Sequence, residues 1–130
     1  MVITLREGTS EKGTVKYNFE DNVFRKGSSA GGSGICNLDG NFLRGGSFAG
    51  GTTLYNYDGK NFREGVSASG TILYNWDGRY IREGSTPDGI IHSNLSGHCM
   101  REGDSTSGDV IFNMEGGILP AAILIFAATK

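Results

Sequence analysis

A 19-residue period runs through this chain with no insertion or deletion. Arg6, Arg25, Arg44, Arg63, Arg82 and Arg101 follow it, and so do Asn18, Asn37, Asn56, Asn75, Asn94 and Asn113. Three glycine series keep the same step: Gly13 to Gly108, Gly8 to Gly103, and Gly40 to Gly116. A fixed short period means that each copy is one supersecondary unit, unable to bury its apolar face except against its neighbours. The 22 glycines in 130 residues are about 17% of the chain, against a usual share of roughly 7%. Seventeen of them fall in the three series, so they read as positional requirements of turns and tight loops.

The clearest copy runs from Gly70 to Gly84, with Thr71, Ile72, Tyr74 and Trp76 favouring a pleated, half-buried surface. Asp77-Gly78 supplies a turn dipeptide, repeated as Asp39-Gly40, Asp58-Gly59 and Glu115-Gly116, with Glu20-Asp21 in the first copy. Each unit therefore reads as strand, turn, strand, Ser/Gly loop. Two registers fit. A two-residue Asp77-Gly78 turn pairs Tyr74 with Ile81 and Leu73 with Arg82. A three-residue loop with a glycine bulge pairs Leu73 with Ile81 and Tyr74 with Tyr80. The two-residue turn is preferred, because it gathers Tyr74, Trp76 and Ile81 on one face and Asn75 and Arg82 on the other.

A lone hairpin does not bury its apolar face. Six of them predict an all-β single domain over residues 1–130, with repeats from about 2 to 119, closed into a pseudo-symmetric ring; an open β-solenoid is the alternative. The ends favour closure. Val2 to Arg6 matches the second strand of a unit whose first half is missing, and Val110 to Asn113 supplies a first strand at the other end. The apolar segment 120–130 breaks the pattern at Pro120. Its run Ile123-Leu124-Ile125-Phe126 favours a final strand, with a short helix over the ring as the alternative.

Charge and composition exclude several classes. Twelve basic and fourteen acidic residues give a formal net charge of -2, without the basic footprint of a nucleic-acid binder. The apolar stretch Ile118 to Ala128 is shorter than the roughly 20 residues of a membrane-spanning helix, and the N-terminus lacks a signal-peptide pattern. A soluble, cytoplasmic protein is expected. Cys36 and Cys99 are too few for a disulfide framework and read as free thiols.

The unit Gly-x-apolar-x-Tyr-Asn-x-Asp-Gly-x-x-apolar-Arg-Glu-Gly, carried by Gly70 to Gly84, resembles the repeats of bacterial β-flower proteins. These are pseudo-fivefold rings of β-hairpins, some encoded on integron gene cassettes. The resemblance spans residues 2 to 119 and implies a closed ring with no established activity and no catalytic residues to carry over. This chain nevertheless shows six copies of the first strand. A looser likeness is to choline-binding-type hairpin repeats, which hold aromatic cages between consecutive hairpins. Here the aromatic position runs Phe19, Leu38, Tyr57, Trp76, Leu95, Met114, which argues against a cage in every repeat.

Candidate sites follow from the ladders and from their exceptions. Arg25, Arg44, Arg63, Arg82 and Arg101 would form an anion-binding rim if they converged. The favoured reading pairs each with a nearby carboxylate, such as Asp39, Asp58 or Asp77. The Asn series reads as structural, bonding nearby backbone. Tyr74 and Trp76, with Tyr55, Tyr57 and Tyr80, are candidates for a saccharide. The fifth copy carries His92, Ser93, His98 and Cys99; its two histidines and its cysteine are donors that suit zinc, although His92 and His98 fall on opposite faces. No orienting third group marks a Cys/His nucleophile. The small, variable loops, such as Thr9–Lys12 and Val66–Ser69, differ in each copy and would line a binding face; Phe48 and Val66 are their apolar members. The chain is expected to be a non-enzymatic binding or interaction module without a cofactor. Its partner would be a second copy, another protein or a small ligand.

Overall fold

A computed structural model of the protein describes residues 2–9, 12–28, 31–47, 50–67 and 69–129. Twelve antiparallel strands, β1 (Ile3–Arg6), β2 (Val15–Glu20), β3 (Val23–Lys26), β4 (Gly34–Asp39), β5 (Phe42–Gly45), β6 (Thr53–Tyr57), β7 (Asn61–Glu64), β8 (Ile72–Trp76), β9 (Tyr80–Glu83), β10 (Ile91–Ser96), β11 (Cys99–Glu102) and β12 (Val110–Glu115), precede one helix, α1 (Ala121–Thr129). Each strand pairs with its neighbours in sequence, and β1 pairs with β12, so the sheet is a closed barrel with no free edge. The ring closes, and the solenoid is excluded. Its sixth hairpin is stitched from the two ends of the chain, with Thr4 opposite Glu115, Leu5 opposite Met114 and Arg6 opposite Asn113.

The hairpin register differs from both expectations. Tyr74 lies opposite Glu83, Asn75 opposite Arg82 and Trp76 opposite Ile81. In the second and fifth hairpins the two-residue turns are Gly40-Asn41 and Gly97-His98, between the pairs Asp39–Phe42 and Ser96–Cys99. Glycine thus takes the first central position of the turn, with φ of 60° at Gly40 and 64° at Gly97, where only it adopts positive φ without strain. The aspartate before it ends the strand. Relative to the preferred register every partner moves by two residues. Side chains alternate with a period of two, so the predicted faces survive.

Between hairpins every strand pair carries one bulge. The extra residues are Lys16, Ile35, Leu54, Leu73, His92 and Ile111, again 19 apart. Bulges add local twist and bend the strand, and six of them at equal spacing curve the sheet evenly into a ring.

One inward layer is a further 19-residue series: Leu5, Phe24, Leu43, Phe62, Ile81 and Met100, none more than 2% exposed. It packs on α1, where Ala122, Ile123, Leu124 and Ile125 are 4%, 0%, 1% and 0% exposed. Four consecutive helical residues point through about 300°, so α1 is enclosed on all sides and fills the barrel. Phe126 meets Phe24 and Tyr55 across the lumen, each at 6.2 Å between ring centroids. The expectation of a final strand is therefore corrected. The closed sheet offers no edge for a thirteenth strand, and inside the barrel only a helix satisfies its own backbone. No helix among the described residues is long and apolar enough to cross a membrane.

The Asn ladder bonds across nine residues rather than locally. Asn18, Asn37, Asn56, Asn75 and Asn94 donate through Nδ2 to the carbonyls of Gly27, Gly46, Gly65, Gly84 and Gly103, at 2.7 to 3.1 Å. Asn113 does the same to Gly8 at 2.6 Å, across the chain ends. Each Asn, at most 7% exposed, pins the loop after the second strand onto the first strand of its hairpin. A Cβ on Gly70, Gly89 or Gly108 would collide with the carbonyl oxygen of Glu64, Glu83 or Glu102, so that glycine series lets the same loop fold back.

Two substitutions test this account by urea denaturation. Ile123→Ala should cost about 2–5 kcal/mol, because the enclosed helix leaves a cavity that the ring cannot collapse into. Asn75→Ala should cost about 2–3 kcal/mol, since the carbonyls of Gly84 and Thr86 lose a buried donor.

Candidate functional site

The barrel has two mouths. The turns surround one, and the Ser/Gly loops surround the other. The helix begins at the turn mouth, where a cleft of about 580 Å³ is lined by Tyr57, Lys60, Trp76, Asp77 and Ala121. Tyr57 and Trp76 hold the same repeat position in adjacent hairpins, at the ends of β6 and β8. Both are half-buried against the apolar core and face the mouth.

The turns that frame this cleft are tied down by side-chain hydrogen bonds. The Asp58 carboxylate accepts the amides of Lys60 and Asn61 through Oδ1, at 3.0 and 2.8 Å, and Arg63 through Oδ2 at 2.6 Å. Asp77 repeats this with the amides of Arg79 and Tyr80 at 2.9 and 2.8 Å, and with Arg82 at 2.5 Å. The Asn61 amide and then Arg63 hold the Asp58 carboxyl at about 2. Burial alone would raise Asp77, but the Tyr80 amide, Arg82 and the Arg79 amide outweigh it and lower its pKa. Burial, aided by Asp58, raises the Tyr57 phenol and keeps it neutral.

The arginines stand on the outer wall, each on its own hairpin, because they alternate with the inward series. They diverge around the ring and form no common rim. Arg6 pairs with Glu115 at 2.9 Å, Arg44 with Asp39 at 3.1 Å, Arg63 with Asp58 and Arg82 with Asp77. Arg25 donates to the Glu20 carbonyl at 3.4 Å, and Arg101 to the Gly108 carbonyl at 3.0 Å. Tyr74 lies inside the barrel, 6.4 Å from Phe62 and 6.0 Å from His92 between centroids. It is thus separated from Arg82 by the sheet itself. Tyr80 is outside, under the guanidinium groups of Arg79 and Arg82.

His92, the bulge residue of its repeat, lies near the loop end of β10, with Nδ1 3.1 Å from Ser93 Oγ. His98 sits in the turn at the other end, beyond about 13 Å of strand. Among the described residues no three His, Cys, Asp or Glu side chains lie close enough to share a metal ion. Cys36 faces the core, where burial pushes its thiol up to about 12; Cys99 is on the outside, half-buried, and both are free. Val66 is 64% exposed. Phe48 and parts of the first four loops lie outside the described residues.

The molecule has six petals, a closed ring and one period of 19 residues. The model of the 6-fold beta flower proteins matches residues 5–124. The chain belongs to this family. The β-flower resemblance read from the repeats is thereby established, and its petal number is corrected from five to six, the sixth petal being shared between β12 and β1. No curated protein and no solved structure matched the chain.

The depressed Asp58 carboxyl has a definite consequence for stability. A folded pKa of about 2, below the ordinary 3.8, means that this group stabilises the fold fully above about pH 4 and loses that contribution as pH falls towards 2. Asp58→Asn should therefore lower the melting temperature at pH 7, and the gap to the parent protein should close by pH 2 in calorimetric scans.

Proposed function

We propose that this β-flower protein is a non-enzymatic binding module and that its ligand is a saccharide held in the turn-mouth cleft. The observation that carries this reading is the shared lining of one cleft by Tyr57 and Trp76, from adjacent hairpins, above the start of the plug helix. Two aromatic faces with polar tips offer the apolar side of a sugar ring a stacking surface while their O–H and N–H groups reach its hydroxyls. Lys60 and the first-turn amides of α1, which have no intrahelical acceptor, add donors. Tyr57 and Trp76, from the two neighbouring repeats that both carry an aromatic residue, support one aromatic pair between hairpins in place of a cage in every repeat.

The carboxylates at the cleft favour binding over acid–base chemistry. A general acid or base is most effective with a pKa near the working pH, and both Asp58 and Asp77 are held below the ordinary carboxylate range. Most of the arginine series is engaged by carboxylates of its own hairpin, which supports a structural role over an anion rim.

Trp76 is the sole tryptophan, so its fluorescence reports on the cleft directly. Titration with a panel of mono- and disaccharides should give a saturable change for at least one sugar class. Trp76→Ala, followed by calorimetry, and Tyr57→Ala should each weaken that binding on the order of tenfold or more. Arg44→Met, on the outer wall, should leave it unchanged. A panel with no saturable response at millimolar concentration refutes the proposal.

A further inference from the structure

The lumen is not filled alike on all sides. Towards the loop mouth the first and third hairpins each present a stacked Tyr–Phe pair to the inside. Tyr17 lies on Phe24 with 5.0 Å between ring centroids, and Tyr55 on Phe62 with 4.7 Å. The two pairs occupy the same two positions of the repeat. The second hairpin stands between them in the ring. At those positions it carries Cys36 and Leu43, which are 0% and 1% exposed. Its inner face therefore lacks two rings that both of its neighbours supply.

The plug helix makes up only part of this loss. Phe126 reaches from α1 to both flanks, 6.2 Å from Phe24 and 6.2 Å from Tyr55 between centroids. Ala127, the next residue, adds a single methyl group. What is left is a cavity of about 140 Å³, lined by Tyr17, Phe24, Ile35, Phe126 and Ala127. Ile35 is the bulge residue of the second hairpin, at the loop end of β4. Tyr17, Ile35, Phe126 and Ala127 are half-buried, so the cavity opens at the loop mouth. Three of its five lining side chains are aromatic and none is charged. A charged group entering it would leave water without a partner. Its size suits one ring, since an apolar cavity of about 150 Å³ admits benzene.

We propose that this loop-mouth cavity binds an uncharged, single-ring aromatic molecule. The ligand brings to the lumen a ring of the kind that the flanking hairpins carry in the chain, and it packs against Tyr17, Phe24 and Phe126 in edge-to-face or offset contact. The site is separate from the turn-mouth cleft. Ala121, at the start of α1, lines that cleft, whereas Phe126 and Ala127, near the end of the helix, line this cavity. About 9 Å of helix lies between the two, and they have no lining residue in common.

The test is titration with benzene and toluene, followed through the methyl resonances of Ile35 and Ala127, with benzoate and benzylammonium as charged analogues of the same ring size. Saturable shifts at both methyls are expected for the two neutral rings, and none for the charged analogues at equal concentration. Ala127→Leu and Ile35→Phe each fill the cavity from one wall. Each should weaken toluene binding on the order of tenfold or more, while the melting temperature holds or rises, as it does when an apolar void is filled. Should one of the two variants fail to fold, the other decides. Trp76→Ala should leave toluene binding intact, which separates this site from the saccharide cleft. The proposal is overturned if neither benzene nor toluene gives saturable shifts at these methyls, if the charged analogues bind as well, if a folded filled variant binds undiminished, or if folded Trp76→Ala loses toluene binding.

Discussion

The structure depends on burying six inward hairpin faces against something other than each other. A hairpin has one apolar face and no core of its own. Closing the ring removes the strand edges but leaves a lumen, and an empty lumen would strip Leu5, Phe24, Leu43, Phe62, Ile81 and Met100 of packing partners. The C-terminal helix fills that space. Its apolar residues point in all directions because the wall surrounds it in all directions, as expected for a helix without a solvent face. The ring and the plug therefore stabilise each other, and the pairing of β1 with β12 is the step that encloses the helix.

The outer wall is held by different means. The buried Asn ladder fastens each Ser/Gly loop to its own hairpin, and Asn113 extends this to Gly8, so the loops reinforce the same closure that the strands make. Most of the arginines are tied to acids at the strand ends. These repeated bonds account for the residues that do not vary along the chain. The proposed binding sites lie where the repeats differ. At the turn mouth, Tyr57 and Trp76 are the two neighbours that are both aromatic; towards the loop mouth, Cys36 and Leu43 stand where both flanking hairpins carry a Tyr–Phe pair. Neither feature exists within a single repeat, since each is a relation between a residue and its counterparts or neighbours in the ring.

Much of this was legible in the sequence. The uninterrupted period, the out-of-phase ends and the alternating faces led to a closed ring of hairpins, and the acids near each arginine led to ion pairs on the outer wall. The turn register was misplaced by one residue at its centre, because Asp-Gly was read as the whole turn. In fact the glycine opens the turn and the aspartate caps it from the strand end. The faces were nonetheless right, since the error moved every partner by two. The Tyr57–Trp76 cleft is half visible in the sequence, as two adjacent aromatics in a varying series, and the alternation of faces already sets Tyr74 and Trp76 apart from Arg82.

By itself the sequence determined the unit, the number of units and the faces. These follow from local periodicities, which each residue expresses through its own backbone and its immediate neighbours. Only the tertiary structure decided the fate of the tail and the bulges that curve the sheet between hairpins. An apolar run of eleven residues satisfies strand and helix patterns alike. It becomes a helix here because the closed sheet has no edge left to pair with it and the lumen supplies no backbone partners.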